Sequence, residues 1–272
     1  TITSEDVWRD VNLVEMYVNA MYTERPGFNY NLYDNISDES RSNFPGSAPN
    51  QVLIGQWDEE YNPMGYWPYV AIRRANEFMA KIDDALIDEN EKIRLRGEAR
   101  FLRAFQYFDL VKRYGGIPVI EIPQTLEDDL LVPRNSVDDC ISYILKELDL
   151  AIEELPLNVP RGRASKGAAM ALKGRTLLYY ASDLFNETRD ITRWQRAAEA
   201  SKAVMDLQKY DLYPDFRTLW LDNGAHVESI FEVQYHLPEK YHGLDALVKP
   251  VRLANGDAGQ RSPLQELVDA FP

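Results

Sequence analysis

The feature that most constrains the fold is a face of small and apolar side chains that recurs at helical spacing. This face comprises Gly97, Phe101, Ala104, Phe108 and Val111. Because these residues are three or four positions apart, the spacing predicts a helix over 88–113. Glycine and alanine on a packing face let a neighbouring helix approach closely, as in stacked helical repeats. The chain is therefore expected to pack helices against helices.

Helix caps and breakers divide the rest of the chain. Ser136, with Asp139 three residues later, resembles a capping box, and Ser165 is a second candidate N-cap. Helices are thus predicted over 4–23, 64–85, 88–113, 136–155, 165–185 and 192–208. A short helical turn is predicted over 216–221 and a strand over 229–235. Pro263 would open a last helix, which we interpret as cut off where the sequence stops.

These elements predict an all-α fold class. Its form would be a tetratricopeptide-like helical-repeat superhelix with long functional loops and little β structure. The helix pairs would span 64–208, within a single domain over 1–272 that is truncated at the C-terminus. No unit recurs at a strict period, so the spacing alone predicts only an all-α domain with repeat-like packing faces.

Residues 26–63 differ in character from the helical segments. Prolines and glycines occur throughout this stretch, interleaved with asparagine and serine, so it is predicted to be a long loop insertion. Long loops within a compact domain are usually functional or disordered. The aromatic residues in this stretch favour an ordered, functional loop.

Charge and composition exclude several classes of protein. The chain has 272 residues and a net charge of −14, so phosphate backbones and anionic lipids are unfavourable partners. Its single cysteine, Cys140, is interpreted as a core residue. No apolar run is long enough to span a membrane, and no leader peptide opens the sequence, which we interpret as a fragment.

The sequence offers few groups for catalysis or metal binding. Metalloprotease, nucleophile-elbow, phosphate-loop and paired-cysteine motifs are all missing, so neither a cofactor nor a metal is expected. His226, His236 and His242 fit no familiar zinc spacing and are interpreted as solvated. The stretch 162–167 resembles a phosphate loop only loosely and is interpreted as a loop and a helix cap. The chain is predicted not to be an enzyme, although abundant carboxylates leave a helical glycosidase open.

Aromatic and polar side chains alternate between Trp57 and Trp67. Aromatic planes stack on the C–H faces of sugar rings, while asparagine and carboxylate groups bond sugar hydroxyls. The candidate ligand-binding residues are Trp57, Tyr61, Asn62, Tyr66, Trp67, Tyr30, Asn35 and Tyr235. A competing interpretation is that Trp67 and Tyr69 anchor the start of the following helix in the core.

Several segments resemble the SusD/RagB family. The most specific is Gly97–Phe108 (GEARFLRAFQYF), followed by the glycine–proline exit Tyr114–Val119 (YGGIPV). Further similar segments, in the order expected for the family, are 134–156, 162–164, 228–235 and 267–271. The resemblance covers nearly the whole chain. Two features depart from it: the family's lipidated N-terminal cysteine is missing, and family chains continue well beyond the last helix.

The resemblance implies a function as well as a fold. SusD/RagB proteins are lipid-anchored on the extracellular face of the outer membrane of Bacteroidetes, and they capture oligosaccharides without catalysis. They deliver the glycan to a SusC-like TonB-dependent transporter, which their helix pairs contact, and they hold it through loop aromatics. The alternative is a helical-repeat adaptor that binds other proteins through a concave helical face. The sequence identifies neither the glycan nor the transporter.

Overall fold

The protein was analysed as a computed structural model, which describes residues 4–24, 33–222, 224, 227–236, 238–241, 248–249 and 261–271. Contacts within the chain divide it into two compact units, where we predicted one domain over 1–272. The first unit comprises Thr1–Pro26 and Pro68–Gln234. The second comprises Gly27–Trp67 and Tyr235–Pro272.

Helices account for almost all of the regular structure in the described residues. In chain order they are α1 (Ser4–Val7), α2 (Val11–Glu24), α3 (Ala48–Leu53), α4 (Tyr69–Met79), α5 (Glu89–Tyr114), α6 (Val137–Glu154), α7 (Lys166–Ala181), α8 (Ile191–Asp206), α9 (Phe216–Leu219) and α10 (Gln265–Asp269). Two short strands, β1 (Ser40–Arg41) and β2 (Ser262–Pro263), and 3-10 turns at Tyr33–Ile36 and Ile82–Asp84 complete the description. The predicted all-α fold class is confirmed.

The predicted caps begin the long helices as expected. Ser136 Oγ accepts a hydrogen bond from the backbone N–H of Asp139 at 3.0 Å, and Ser165 Oγ accepts one from Ala168 at 3.1 Å. These bonds satisfy N–H groups that have no partner within the first turn of a helix. The helix predicted over 88–113 is confirmed as α5, which begins after its N-cap Asp88.

Several elements differ from the predictions. The first helix is interrupted at residues 8–10 and becomes α1 and α2, and the helix predicted over 64–85 shortens to α4 and a 3-10 turn. The loop insertion contains α3, which the density of proline and glycine concealed. Pro263 lies in β2 and does not open the last helix, because residues 262–263 pair with β1.

The strand predicted over 229–235 is wrong. The alternating pattern suggested one buried face, yet the adjacent residues Ile230 and Phe231 both pack against the helical core. Phe231 lies edge-on to Phe101, with their ring centroids 5.1 Å apart. The described residues 229–235 pair with no strand, so this segment is an irregular chain that covers α5.

In the first unit, α5 is the central helix and packs against α2, α4 and α6, while α7 packs between α6 and α8. Gly97 shows why small residues lie on this face. A Cβ added there would lie 3.0 Å from Glu154 Cβ and 3.0 Å from Leu155 Cγ. The close approach of consecutive helices, predicted from the small residues, is therefore present between α5 and the end of α6.

A ladder of ion pairs joins α5 to α6. Arg103 donates twice to Glu147 Oε2, at 2.5 and 3.1 Å, and both side chains are buried. Arg100 bridges the two glutamates, reaching Glu147 at 3.0 Å and Glu154 at 3.1 Å. Arg96 continues the ladder to Glu154 at 2.7 Å. The buried carboxylate of Glu147 and the half-buried one of Glu154 thus each face two guanidinium groups, which offset the cost of removing them from water.

Glu98 is a second buried carboxylate on α5. Its side chain accepts a hydrogen bond from Tyr22 Oη at 2.6 Å and pairs with Arg94 at 2.8 Å and with Arg163 at 2.9 Å. Burial nevertheless raises the pKa of Glu98 above its ordinary value of 4.5. The folded chain therefore holds this proton at a higher pH than the unfolded chain does.

This shift predicts a pH dependence of stability. A raised carboxyl pKa contributes stability that grows as the pH falls through the folded-state pKa and is complete below the unfolded value. Relative to Glu98→Gln, the wild-type free energy of unfolding should therefore rise on acidification from neutral pH towards 4.5. Urea unfolding at a series of pH values measures the difference, and a difference that is constant or falls on acidification contradicts the prediction.

The second unit is built around the pairing of β1 with β2. Ser40 lies opposite Pro263 and Arg41 opposite Ser262 in an antiparallel register. The backbone N–H of Leu264 extends this pairing to the carbonyl of Glu39 at 2.9 Å. Two stretches distant in sequence, 27–67 and 235–272, are thereby joined into one unit.

Candidate functional site

The predicted aromatic segment follows α3 in the second unit. Trp57, Tyr61 and Trp67 are 56%, 53% and 56% exposed, so their rings contribute little to the core. The competing interpretation fails for Trp67 and holds for Tyr69, which packs against the core and donates from Oη to Pro118 O at 2.6 Å. Large aromatic surfaces exposed within a short segment are typical of binding sites.

Asp58 fixes the backbone beneath Trp57 and Tyr61. Its Oδ1 accepts hydrogen bonds from the N–H groups of Glu60 at 2.9 Å and Tyr61 at 2.8 Å, and its own N–H donates to Tyr61 O at 3.0 Å. Tyr61 Oη also donates to Gln51 Oε1 of α3 at 3.0 Å. The turn holds its conformation through its own side chain, which lowers the entropy lost when a ligand binds.

Asn62 and Met64 anchor the second half of the segment. Asn62 Oδ1 accepts a hydrogen bond from the N–H of Met64 at 3.0 Å, and its carbonyl accepts one from Gly65 at 3.0 Å. Met64 is buried, Tyr66 is half-buried and Asn62 is exposed. Asn62 therefore carries an exposed amide on a second turn, directly beside Tyr61.

Asn35 does not share this exposure. It is completely buried, and its Oδ1 accepts a hydrogen bond from Ser40 Oγ at 2.6 Å. Its carbonyl accepts one from Arg41 at 3.2 Å. Because it presents no surface to a ligand, Asn35 supports β1 and is left out of the proposed site.

The remaining predicted residues lie elsewhere. Tyr235 is 38% exposed, and Lys240 Nζ lies 5.8 Å from its ring centroid, on a face that a sugar would otherwise use. Tyr30, together with His226 and His242, falls outside the described residues.

His236 lies at the surface, with its Nδ1 2.9 Å from Glu239 Oε2. Among the described residues, no group of three or more metal-binding side chains occurs.

The loop at 162–167 is a cap and not an anion cradle, as interpreted from the sequence. Ser165 caps α7, and Gly162 turns the chain at a φ of 86°. A Cβ added to Gly167 would lie 2.2 Å from Tyr210 Oη, so a tyrosine hydroxyl fills the space beside the first turn.

Comparison with known proteins identifies the family that shares this architecture. A family model described as SusD-like, starch-binding and associating with the outer membrane matches residues 4–178. The chain belongs to the SusD-like family. Its predicted SusD/RagB resemblance is thus confirmed, and the family is one of carbohydrate-binding proteins associated with the outer membrane.

Individual relatives agree with the assignment of this SusD-like chain. A SusD-like protein of Bacteroides ovatus is 26% identical over 197 residues, which are 70% of this chain and 36% of that protein. The crystal structure of a SusD-like protein from Bacteroides fragilis is 33% identical, with a TM-score of 0.85, and the match covers 99% of this chain and 54% of that one. This SusD-like chain therefore spans about a third to a half of these relatives' length.

A laminarin-binding SusD-like protein shares the fold of the chain. The two are 21% identical with a TM-score of 0.81, over 96% of this chain and 64% of that one. At this identity the likeness concerns the fold alone. Among the helices described for the SusD-like chain, none is both long and apolar enough to cross a membrane.

Two clefts lie in the first unit of the SusD-like chain, away from the predicted segment. One of about 290 Å³ is lined by residues of 157–165, 209–210 and 227–232, and one of about 260 Å³ by residues of 69–76 and 120–124. Neither cleft is lined by a predicted site residue. The predicted segment offers an open aromatic surface, since more than half of each of the Trp57, Tyr61 and Trp67 side chains is exposed.

Sequence reasoning missed the residues that position this surface. Asp58 and Gln51 both form hydrogen bonds with Tyr61. Phe44 is a further exposed aromatic residue, with 49% of its surface accessible, and its carbonyl accepts a hydrogen bond from Asn50 at 2.9 Å. Asp58 binds the backbone N–H groups of the second and third residues after it. Aspartate in this position is a recognisable sequence signal of a turn. The pairing of Gln51 with Tyr61 has no such signal, because it depends on where α3 ends.

Proposed function

We propose that this SusD-like chain captures an oligosaccharide at the cell surface, without catalysis, and delivers it to a TonB-dependent outer-membrane transporter. Trp57, Tyr61 and Trp67 would stack on sugar rings, while Asn62 would bond sugar hydroxyls. The observation that carries the proposal is the exposure of more than half of each of these three aromatic side chains, on turns that bind their own backbone. Tyr66 completes the segment, and Tyr30 and Tyr235 stay predictions.

The family description supports this choice of ligand. The matching family is described as starch-binding, and one protein of the same fold is named for laminarin binding. Both are neutral glucans, which suits an acidic chain that would repel anionic polymers. Starch oligosaccharides and laminarin are therefore the first ligands to test.

The decisive experiment compares two exposed tryptophans. Trp57→Ala should weaken binding of the full-length protein to its glycan about tenfold, because a stacked aromatic contributes roughly 0.5–1.5 kcal/mol beyond the area that it buries, and about 1.4 kcal/mol corresponds to a factor of ten. Trp220→Ala is the matched control, since Trp220 is 72% exposed but directly follows α9 in the first unit. Isothermal titration calorimetry against starch oligosaccharides, laminarin and a panel of other glycans measures both.

Three outcomes would contradict the proposal. The first is that the full-length protein binds no member of the panel. The second is that Trp57→Ala and Trp220→Ala lose the same affinity. The third is release of new reducing ends from a bound glycan at a catalytic rate, which would restore the glycosidase alternative.

Delivery to a transporter needs its own measurement. The lipid-anchored full-length protein should co-purify with the TonB-dependent transporter expressed beside it. It should do so equally well with Trp57→Ala, because the aromatic segment is assigned to glycan binding. Recovery of the lipoprotein alone under mild detergent would count against delivery while leaving glycan capture intact.

A further inference from the structure

The segment between α5 and α6 exposes an unusual amount of apolar surface. Ile122, Leu126 and Leu131 are 69%, 96% and 90% exposed, and Leu130 is also exposed. A single exposed leucine needs no explanation, but four exposed large aliphatic side chains within ten residues are a concentration of apolar surface of the kind that marks an interface. We call residues 121–131 the leucine segment.

The base of the leucine segment is held in place by side chains of the first unit. Asn76 Nδ2 donates to the carbonyls of Ile120 at 2.8 Å and Ile122 at 3.4 Å, and Arg73 donates to the carbonyl of Gln124 at 2.6 Å. Tyr107 Oη both accepts from the N–H of Ile120 at 2.8 Å and donates to its carbonyl at 2.9 Å. The backbone is bound by the fold, while the aliphatic side chains face solvent.

The tip of the leucine segment is also preorganised. Asp128 Oδ2 accepts hydrogen bonds from the N–H of Thr125 at 2.6 Å and from its Oγ1 at 2.9 Å. These bonds hold the pKa of Asp128 below its ordinary value. Asp129 Oδ1 accepts a bond from the N–H of Leu131 at 2.9 Å. A loop that is ordered before binding loses little entropy when a partner covers it.

A groove adjoins the leucine segment. Its volume is about 260 Å³, and its apolar lining comes from Tyr69, Val70, Ile72, Ile120 and Ile122. Val70 is 73% exposed and so extends the apolar surface onto α4. The surface thus combines projecting leucines with a neighbouring depression, which are the two elements of a specific protein contact.

Charge indicates what kind of partner this surface fits. Glu121, Glu127, Asp128 and Asp129 are exposed, and the sequence has no lysine or arginine between residues 114 and 133. An anionic membrane would repel these carboxylates, and a second copy of this acidic chain would bring like charges together. A protein surface with apolar pockets bordered by lysine or arginine would complement both the leucines and the carboxylates.

We propose that the leucine segment and the adjoining groove form a docking surface for a partner protein of that chemistry. The surface lies in the first unit, so the inference is independent of glycan capture and would stand if Trp57 bound no sugar. Leu126 and Leu131 would enter apolar pockets of the partner, while Glu127 and Asp129 would face its cations.

Cysteine labelling of the full-length protein tests the proposal. Cys140, the only cysteine of the 272 residues, is buried, so Leu126→Cys introduces an accessible thiol. Its reaction with a membrane-impermeant maleimide should be at least tenfold slower on intact cells than on the isolated lipoprotein. Glu199→Cys, on the exposed face of α8, is the control and should react at similar rates in both settings.

A second arm tests the charges. Adding Glu127→Lys and Asp129→Lys to Leu126→Cys should restore labelling on cells to the rate of the isolated protein. A zero-length carbodiimide, which couples carboxylates to lysines, should yield a covalent adduct on wild-type cells. Glu127→Gln with Asp129→Asn should abolish this adduct.

Four results would overturn the proposal. Slow labelling of Leu126→Cys in the isolated full-length protein would mean that its own chain covers the segment. Equal rates in isolation and on cells would mean that nothing covers it. Protection of the isolated protein by vesicles of phosphatidylethanolamine and phosphatidylglycerol would indicate a membrane contact. Protection that survives the charge reversal would exclude a basic partner surface.

Discussion

Replacing Glu147 by leucine should lower the free energy of unfolding by about 3–5 kcal/mol, because it leaves a guanidinium buried without its carboxylate. Arg103 is buried and donates twice to Glu147, and its remaining partners, Asn76 Oδ1 at 2.8 Å and Glu121 O at 3.4 Å, are uncharged groups. Urea unfolding followed by circular dichroism measures the loss. The same substitution frees one end of Arg100, which keeps Glu154 at 3.1 Å.

Two further variants show that the loss belongs to the unpaired charge. Arg103→Met combined with Glu147→Leu removes both charges and should cost at least 2 kcal/mol less than Glu147→Leu alone, since a buried pair can often be replaced by apolar groups of similar volume. Asp206→Leu breaks the exposed pair with Lys202, at 2.6 Å, and should change stability by less than about 0.5 kcal/mol. If the double variant is as unstable as Glu147→Leu, the loss comes from packing and the prediction is wrong.

The helices of this ladder were predictable, but their pairing was not. Caps at Ser136 and Ser165 and the small residues of α5 reflect local chemistry, which the sequence displays directly. Arginines off the apolar stripe of a helix usually face solvent, so their position alone does not indicate buried pairing. A signal was present nonetheless: Arg96, Arg100 and Arg103 have the spacing of one helical face, as do Glu147 and Glu154. Only the packing of α5 on α6 shows that these two faces meet.

In the candidate site, too, some features could be predicted from the sequence and others could not. Exposure of Trp57 and Tyr61 follows from aromatic residues placed among turn-forming polar residues, whereas the sequence left Trp67 open between a binding role and a core role. Asn35 looked similar in composition, yet it is buried beside β1. The strand that pairs with β1 lies more than two hundred residues later, and no local pattern could reveal that Asn35 would be covered.

Gly116→Ala should be the second most damaging substitution, lowering the free energy of unfolding by about 2–3 kcal/mol through overpacking. A Cβ at this position would lie 2.2 Å from the carbonyl oxygen of Asn135, and a backbone atom cannot move aside as the end of a side chain can. Asn135 itself ties the exit of α5 to the start of α6. Its N–H donates to Ile117 O at 3.0 Å, and its Oδ1 accepts from the N–H of Val119 at 2.9 Å.

A substitution at the neighbouring Gly115 distinguishes the effect of this steric clash from the effect of backbone strain. Gly115 has a φ of 70°, and a Cβ there would meet only Val137 Cγ2 at 3.7 Å, which is an ordinary contact. Gly115→Ala should therefore cost about 2 kcal/mol through its conformation alone, because a φ of 70° with a ψ of −128° lies in a region that residues with a Cβ rarely adopt. Amide hydrogen exchange distinguishes the two causes, because displacing Asn135 should remove protection of the Val119 N–H in Gly116→Ala and leave it intact in Gly115→Ala. Equal protection of Val119 in both variants would show that the chain accommodates the added methyl group without moving Asn135, and that the glycine–proline exit tolerates more than its geometry indicates.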